Sequence, residues 1–287
     1  MVPFAPGGTT DLIARLVATP LQEKLAQPVI VENRPGAGAT VGSLAVAQAA
    51  ADGYTLVLSN IASHAISPTL YGNIRYDPVR DFSHVALLTQ NPSVFVANPR
   101  AGIANLADFA RLHRERGLDM ASSGSGSSNH LLIVRMGQML MREINHIPFR
   151  GAGPAMTAVI GGQVPLMSDS LPSAAAHIRQ GSVKPIAMSS AERHPSFPEV
   201  PTFREQGYDV VASSWFGLSG PAGLPRPIVD RLAREVGTIL NSDSTRARFA
   251  EIGGSAGHLT PEEYAAFVSS EVSRWEPLVR ESGARPD

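Results

Sequence analysis

Short β-prone runs alternate with amphipathic helical stretches along nearly the whole chain, and this alternation constrains the fold more than any other feature. The expected strands are Val29–Glu32, Thr55–Ser59, Val85–Thr89, Ser93–Ala97, Asp119–Ala121, Asn145–Pro148, Val164–Ser168, Lys184–Met188 and Val211–Leu218. Between them lie the expected helices Thr10–Leu25, Val41–Ala51, Leu106–Arg116, Asn129–Met141, Pro154–Ile160, Ser173–Arg179, Pro227–Asn241 and Pro261–Ser282. In the first helix Leu12, Ile13, Leu16, Val17 and Leu21 share one face. The last opens with Thr260 as N-cap, Pro261 at the first helical position and two acids in the first turn. Strands that alternate with helices predict mostly parallel sheets covered on both faces.

A chain of 287 residues has room for two such units. Asn98-Pro99-Arg100-Ala101-Gly102 reads as a crossover, and the Gly/Pro-rich stretch from Ser213 to Pro227 reads as the return. The expected architecture is therefore two α/β lobes, the second inserted into the first: residues 1–98 and 216–287 form lobe one, residues 99–215 form lobe two. Two crossing segments make a hinge, and ligands of such folds bind in the crevice at the carboxyl ends of strands.

Charge and cysteine content narrow the chemistry. Lys and Arg number 24 against 25 Asp and Glu, so no overall basic field is available for a nucleic acid backbone. Cysteine is absent, which excludes disulfides, thiol nucleophiles and Cys-based metal sites. The 8 histidines form no H-E-x-x-H pattern, and no cofactor is expected. No apolar run approaches the ~18 residues of a membrane span. Met1-Val2-Pro3-Phe4 runs directly into a glycine turn without a leader-like segment. Val2 to Phe4 reads as the tail of a strand that begins upstream, so a truncated N-terminus is expected.

Four stretches carry candidate chemistry. Phe4-Ala5-Pro6-Gly7-Gly8-Thr9-Thr10-Asp11 joins a strand end to a helix; its glycines admit a ligand to the backbone, and free N–H groups at the helix start favour an anion. Ser122-Ser123-Gly124-Ser125-Gly126-Ser127-Ser128-Asn129 makes a second neutral cradle before a helix. Arg150-Gly151-Ala152-Gly153 can supply further N–H groups. Asp169, at a strand end, can orient a loop, cap the next helix or bind an amine. Gly36-Ala37-Gly38 invites a dinucleotide reading, but the sixth position of G-x-G-x-x-G is Val41, and a packing turn is favoured. A serine hydrolase using Ser125 or Ser127 with His130 lacks the G-x-S-x-G elbow. His130 and His64 read as surface or capping histidines, and Trp215 and Phe216 as core aromatics that could wall the cleft.

The collinear set PFAPGGTTD, VENRPGAGATVG, ADGYTL, SSGSGSSNH, PFRGAGPA, GGQVPLM, EVPTFREQGY and SWFGLSGPAGLP resembles the Bug-type solute-binding receptors of tripartite tricarboxylate transport systems over nearly the whole chain. The resemblance implies a periplasmic-binding-protein fold of two α/β lobes that close like a flytrap, with no catalysis. It implies a periplasmic receptor, monomeric by default, that hands a dicarboxylate, acidic amino acid or aromatic acid to a membrane transporter. On this pattern Phe4, Ala5, Gly8, Thr9, Thr10 and Asp11 grip one carboxylate from lobe one. Ser123, Gly124, Ser125, Gly126, Ser127, Ser128 and Asn129 close from lobe two with Gly151 and Ala152, while Asn60 and Asp169 supply side-chain contacts. A Rossmann-type oxidoreductase and a serine hydrolase are the alternatives.

Overall fold

The computed structural model describes residues 1–257 and 259–286. In chain order the elements are α1 (Thr9–Leu25), α2 (Thr40–Ala47), β1 (Val57–Asn60), α3 (Ser67–Tyr71), β2 (Phe82–Ala97), α4 (Leu106–Arg116), β3 (Asp119–Ser122), α5 (Ser128–Met139) and β4 (Asn145–Pro148). There follow α6 (Ala152–Ile160), β5 (Leu166–Ser170), α7 (Leu171–Arg179), β6 (Lys184–Met188), β7 (Ser213–Pro221), α8 (Arg226–Asn241), α9 (Asp243–Glu251), β8 (Ser255–Ala256) and α10 (Pro261–Ser282). A π-helical turn, Ala62–Ile66, links β1 to α3.

The two strands expected at 85–89 and 93–97 are one. β2 runs for 16 residues through both lobes. Gln90-Asn91-Pro92 resembles a turn, but here Pro92 sits where the sheet changes partners. Up to Pro92, β2 pairs with β7; from Ser93 it pairs with β5 and β6. A residue without an N–H is tolerated at such a handover.

The expectation of mostly parallel sheets needs correction. β2 is antiparallel to β5, β6, β7 and β8, and β1 is antiparallel to β7; β3 is parallel to β4 and to β5. The cause is the shared strand: the chain enters lobe two along β2 and comes back along β7, so the two must run oppositely. Val29–Glu32 is not a strand. This segment is tied to Val2 by two backbone hydrogen bonds, Val2 N–H to Glu32 O and Arg34 N–H to Val2 O, and leaves Ile30 exposed.

Period-two alternation on β2 builds the core of lobe two. Val94 and Val96 face α6 and α7 with Met156, Val159, Leu171 and Ala175, whereas Phe95 and Ala97 face α4 and α5 with Phe109, Leu132 and Met136. In lobe one, Ile13, Val17 and Leu21 of α1 pack with Leu232 and Val236 of α8 against Leu58, Leu88 and Leu218. On the other face Trp215 and Leu87 meet Tyr264 and Val268 of α10. The Thr260–Glu263 capping box that opens α10 forms as expected.

Candidate functional site

Four helix starts converge between the lobes. The cleft is lined by Phe4, Gly8, Thr9 and Thr10 at the start of α1, and by Ser127, Ser128 and Asn129 at the start of α5. Ala152 at the start of α6 and Asp169 and Ser170 before α7 complete the ring, with Ser123 at the end of β3. Asn60 at the end of β1, Ile61, Ala62 at the start of the π turn, and Ser214 and Phe216 of β7 form the remaining wall.

The starts of α1 and α6 leave amides available. Gly8 is the extended N-cap of α1 and no side chain caps this end. The first helical bond is Leu12 N–H to Gly8 O at 3.0 Å, so the amides of Thr9, Thr10 and Asp11 precede it. At α6 the N-cap is Gly151, at φ +145°, where a Cβ would lie 3.0 Å from Ala5 N. Glycine is therefore required both by its backbone angle and by the approach of the other lobe. Each helix start carries roughly half a positive charge, and among the described residues no Lys, Arg or His lines the cleft.

Among the described lining residues, Asp169 is the sole ionisable side chain. Ser170 N–H donates to its Oδ1 at 2.8 Å and Ser173 Oγ to its Oδ2 at 2.7 Å. Burial pushes its carboxyl up to about 7, against the opposing pull of those two hydrogen bonds. Asp169 thus lines the cleft while its oxygens accept from the N-cap and first turn of α7.

The lobes touch around this cleft. Ala5 N–H donates to Arg150 O at 2.9 Å, and Thr9 Oγ1 donates to Ser173 Oγ at 2.9 Å. The enclosed space is about 30 Å³, so entry of anything the size of a dicarboxylate requires the lobes to part. A larger cavity of about 390 Å³ between α5 and α10 shares only Ser128 with the cleft. It is walled by α5, α10 and residues 209–213.

Of the residues expected in the site, Phe4, Gly8, Thr9, Thr10, Asn60, Ser123, Ser127, Ser128, Asn129, Ala152 and Asp169 are brought together. Ala5, Asp11, Gly124, Ser125, Gly126 and Gly151 stand behind that lining. Asp11 accepts from Gly7 N–H, Arg15 Nε and Asn33 Nδ2, each at 3.1 Å. Burial pushes its pKa up, but those bonds outweigh it and hold the carboxyl below its usual value; it braces the loop. Asn60 spends Oδ1 on Ala62 and Ser63 N–H and donates from Nδ2 to Leu58 O, which leaves one amide hydrogen for the cleft. Ile61, Ala62, Ser170 and Ser214 line the cleft although none was among the expected residues, and Phe216 walls it; the alternation Ser214–Trp215–Phe216 is the signal that places Phe216 in the cleft and Trp215 in the core. His130 and His64 are buried rather than at the surface.

The dinucleotide alternative lacks its geometry. Gly36-Ala37-Gly38 follows no strand and forms a 3₁₀ turn, not the strand–glycine–helix junction of a dinucleotide site. Ser127 Oγ accepts the His130 backbone N–H at 3.1 Å as the α5 cap.

Residues 13–284 match the family model described as tripartite tricarboxylate transporter family receptor. The chain belongs to that receptor family. It is 38% identical to BugT of Bordetella pertussis strain Tohama I, over 99% of this chain and 89% of that one. Among solved receptors, MatC of Rhodopseudomonas palustris with bound malate is 35% identical, with 97% of each chain covered and a TM-score of 0.92. R. palustris Rpa4515 with adipate is 32% identical, covers 100% of this chain and 97% of its own, and has a TM-score of 0.95. A family receptor from Polaromonas solved with no ligand is 26% identical over 98% and 96% of the chains, with a TM-score of 0.67. The two-lobe periplasmic-binding-protein fold is thus shared, and no described helix is long and apolar enough to cross a membrane.

Proposed function

We propose that this receptor captures a small carboxylate between its lobes in the periplasm and presents it to the membrane components of a tripartite tricarboxylate transporter. The observation that carries the reading is the convergence of four helix N-termini on a cleft with no cationic side chain among its described lining residues. Backbone dipoles and hydroxyls can hold an anion there without a buried Arg, and water can complete its shell. Relatives of the same fold hold malate and adipate. The chain acts as a monomer and without catalysis. Lobe one is residues 1–98 and 216–287, lobe two is residues 99–215, and the hinge lies on β2 and β7. Thr9, Thr10, Gly8 and Phe4 contact one carboxylate from lobe one; Ser123, Ser127, Ser128, Asn129 and Ala152 contact the ligand from lobe two.

Asp169 divides the ligand class. An ionised Asp169 suits the ammonium of an acidic amino acid, whereas a protonated one can donate to a carboxylate or hydroxyl. A thermal-shift panel of malate, adipate, citrate, aspartate, glutamate and nicotinate tests the reading. A ligand at ~100 times its Kd adds about 2.7 kcal/mol of stability. Shifts confined to carboxylates support it. A folded protein that ignores the panel but shifts with a nicotinamide nucleotide overturns it.

A further inference from the structure

Two stacked imidazoles stand behind the serine loop. The rings of His130 and His146 are 4.0 Å apart between centroids and 14° from parallel. His130 lies in the first turn of α5 and is 4% exposed. His146 lies on β4 opposite Met120, two residues before the end of β3, so strand alternation aims it at Ser122. Its Nε2 is 2.6 Å from Ser122 Oγ, and that hydroxyl accepts Gly124 N–H at 3.1 Å. His130 Nδ1 accepts Gly126 N–H at 3.3 Å. One ring therefore grips the loop where it leaves β3, and the other grips it where it enters α5.

What they hold has two faces. Ser123 and Ser127, next to the gripped residues, line the cleft. The middle of the loop meets lobe one: Tyr71 Oη donates to Ser125 O at 3.4 Å, and a Cβ on Gly126 would lie 2.6 Å from Ser67 Oγ. A loop this rich in glycine and serine has little stiffness of its own. Gly124 and Gly126 both sit at positive φ, +124° and +79°.

We propose that His130 and His146 are positioning residues that preset the serine loop for both ligand contact and lobe contact, His130 through the bond its Nδ1 accepts from Gly126 and His146 through its Nε2 bond to Ser122. Burial, reinforced by His130, pushes His146 down to about 3, consistent with a neutral ring. Because His130 Nδ1 accepts, its ring proton sits on Nε2.

The proposal rests on the carboxylate-receptor reading for its affinity arm, but its first readout needs no ligand. His130→Asn places an amide group where Nδ1 stood, and His146→Gln does so for Nε2; His130→Leu and His146→Leu do neither. Amide hydrogen exchange of Gly126 should speed up on the order of tenfold in His130→Leu, and Gly124 likewise in His146→Leu. Both should stay near the native rate in the Asn and Gln variants. Nitrogen-15 spectra of the imidazoles should report His130 as the Nε2–H tautomer. Titration with malate and adipate should then show about tenfold weaker binding in the Leu variants and twofold or less in the amide variants. If a Leu variant fails to fold, His130→Asn against His130→Gln, whose amide is one bond too far, makes the same comparison. Equal Gly126 exchange in the acceptor-keeping and acceptor-lacking variants overturns the proposal. If malate and adipate both fail to bind the native protein, the exchange arm still decides it.

Discussion

Thr9 and Ser173 lie 164 positions apart and are joined twice across the cleft. Thr9 Oγ1 donates to Ser173 Oγ at 2.9 Å, and Ser173 N–H donates to Thr9 Oγ1 at 3.2 Å. Ser173 Oγ in turn donates to Asp169 Oδ2. The start of α1 is thus wired to the buried carboxylate beside the start of α7.

Thr9→Val keeps the shape of the side chain and removes both bonds. Two hydrogen bonds of about 1 kcal/mol each predict a loss of ligand affinity of roughly tenfold or more, with little change in the unliganded melting temperature. Titration calorimetry with the best carboxylate from the panel measures it. Unchanged affinity would mean that the pair is incidental to closure.

Gly8→Val should abolish binding while leaving each lobe folded. Even a Cβ here comes 3.2 Å from Ala152 Cβ, and the valine methyls extend further into the other lobe. Small-angle scattering should find the variant held open with saturating ligand. A compact, ligand-competent Gly8→Val would refute the backbone cradle.

Asp169 predicts a pH signature with a definite sign. Its carboxyl is raised from 3.8 to about 7 by burial, so the folded chain keeps a proton that the unfolded chain has released. The penalty is absent below about 3.8, grows as pH rises, and is complete above about 7. Asp169→Asn should lack that decline in urea-denaturation free energies between those limits. Ligand affinity separates the two ligand classes: an ammonium-bearing ligand should bind more tightly as pH rises through 7, a purely anionic one less tightly. Parallel stability profiles for Asp169→Asn and the native protein would remove the titration from Asp169.

Glu271 anchors α10 to β7. Its Oε2 accepts from Trp215 Nε1 at 2.9 Å and from Trp275 Nε1 at 3.0 Å, and its Oε1 pairs with Arg274 at 2.9 Å. Glu271→Leu leaves a buried indole N–H unpaired and should cost about 2–4 kcal/mol, while Glu271→Gln, which keeps an acceptor, should cost less. The protein's two tryptophans report this in urea unfolding by fluorescence. Equal losses in the two variants would point to packing rather than the hydrogen bonds.

Legibility in the sequence followed the range of the interactions. The helices 106–116 and 261–282 match the expected bounds, because Asn105 and Thr260 cap their starts and Gly117 and Gly283 end them within a few residues. The glycine and serine loops that line or back the cleft were legible for the same reason. Val29–Glu32 failed because β-prone composition cannot supply a partner strand, and the separation of strands 85–89 and 93–97 failed because a proline can also mark a change of partner within one strand. His130 and His146, 16 positions apart on different elements, carry no sequence spacing that announces their stacking.

The sequence by itself determined where helices start, which loops expose backbone amides, and that the chain carries no cysteine, because capping, periodicity and composition are local properties. Tertiary structure alone decided that β2 runs unbroken through both lobes, that four helix starts meet at one cleft, and that Asp169 is buried there. Those outcomes depend on packing between residues as remote as Thr9 and Ser173, and only a folded chain brings such residues within hydrogen-bonding distance.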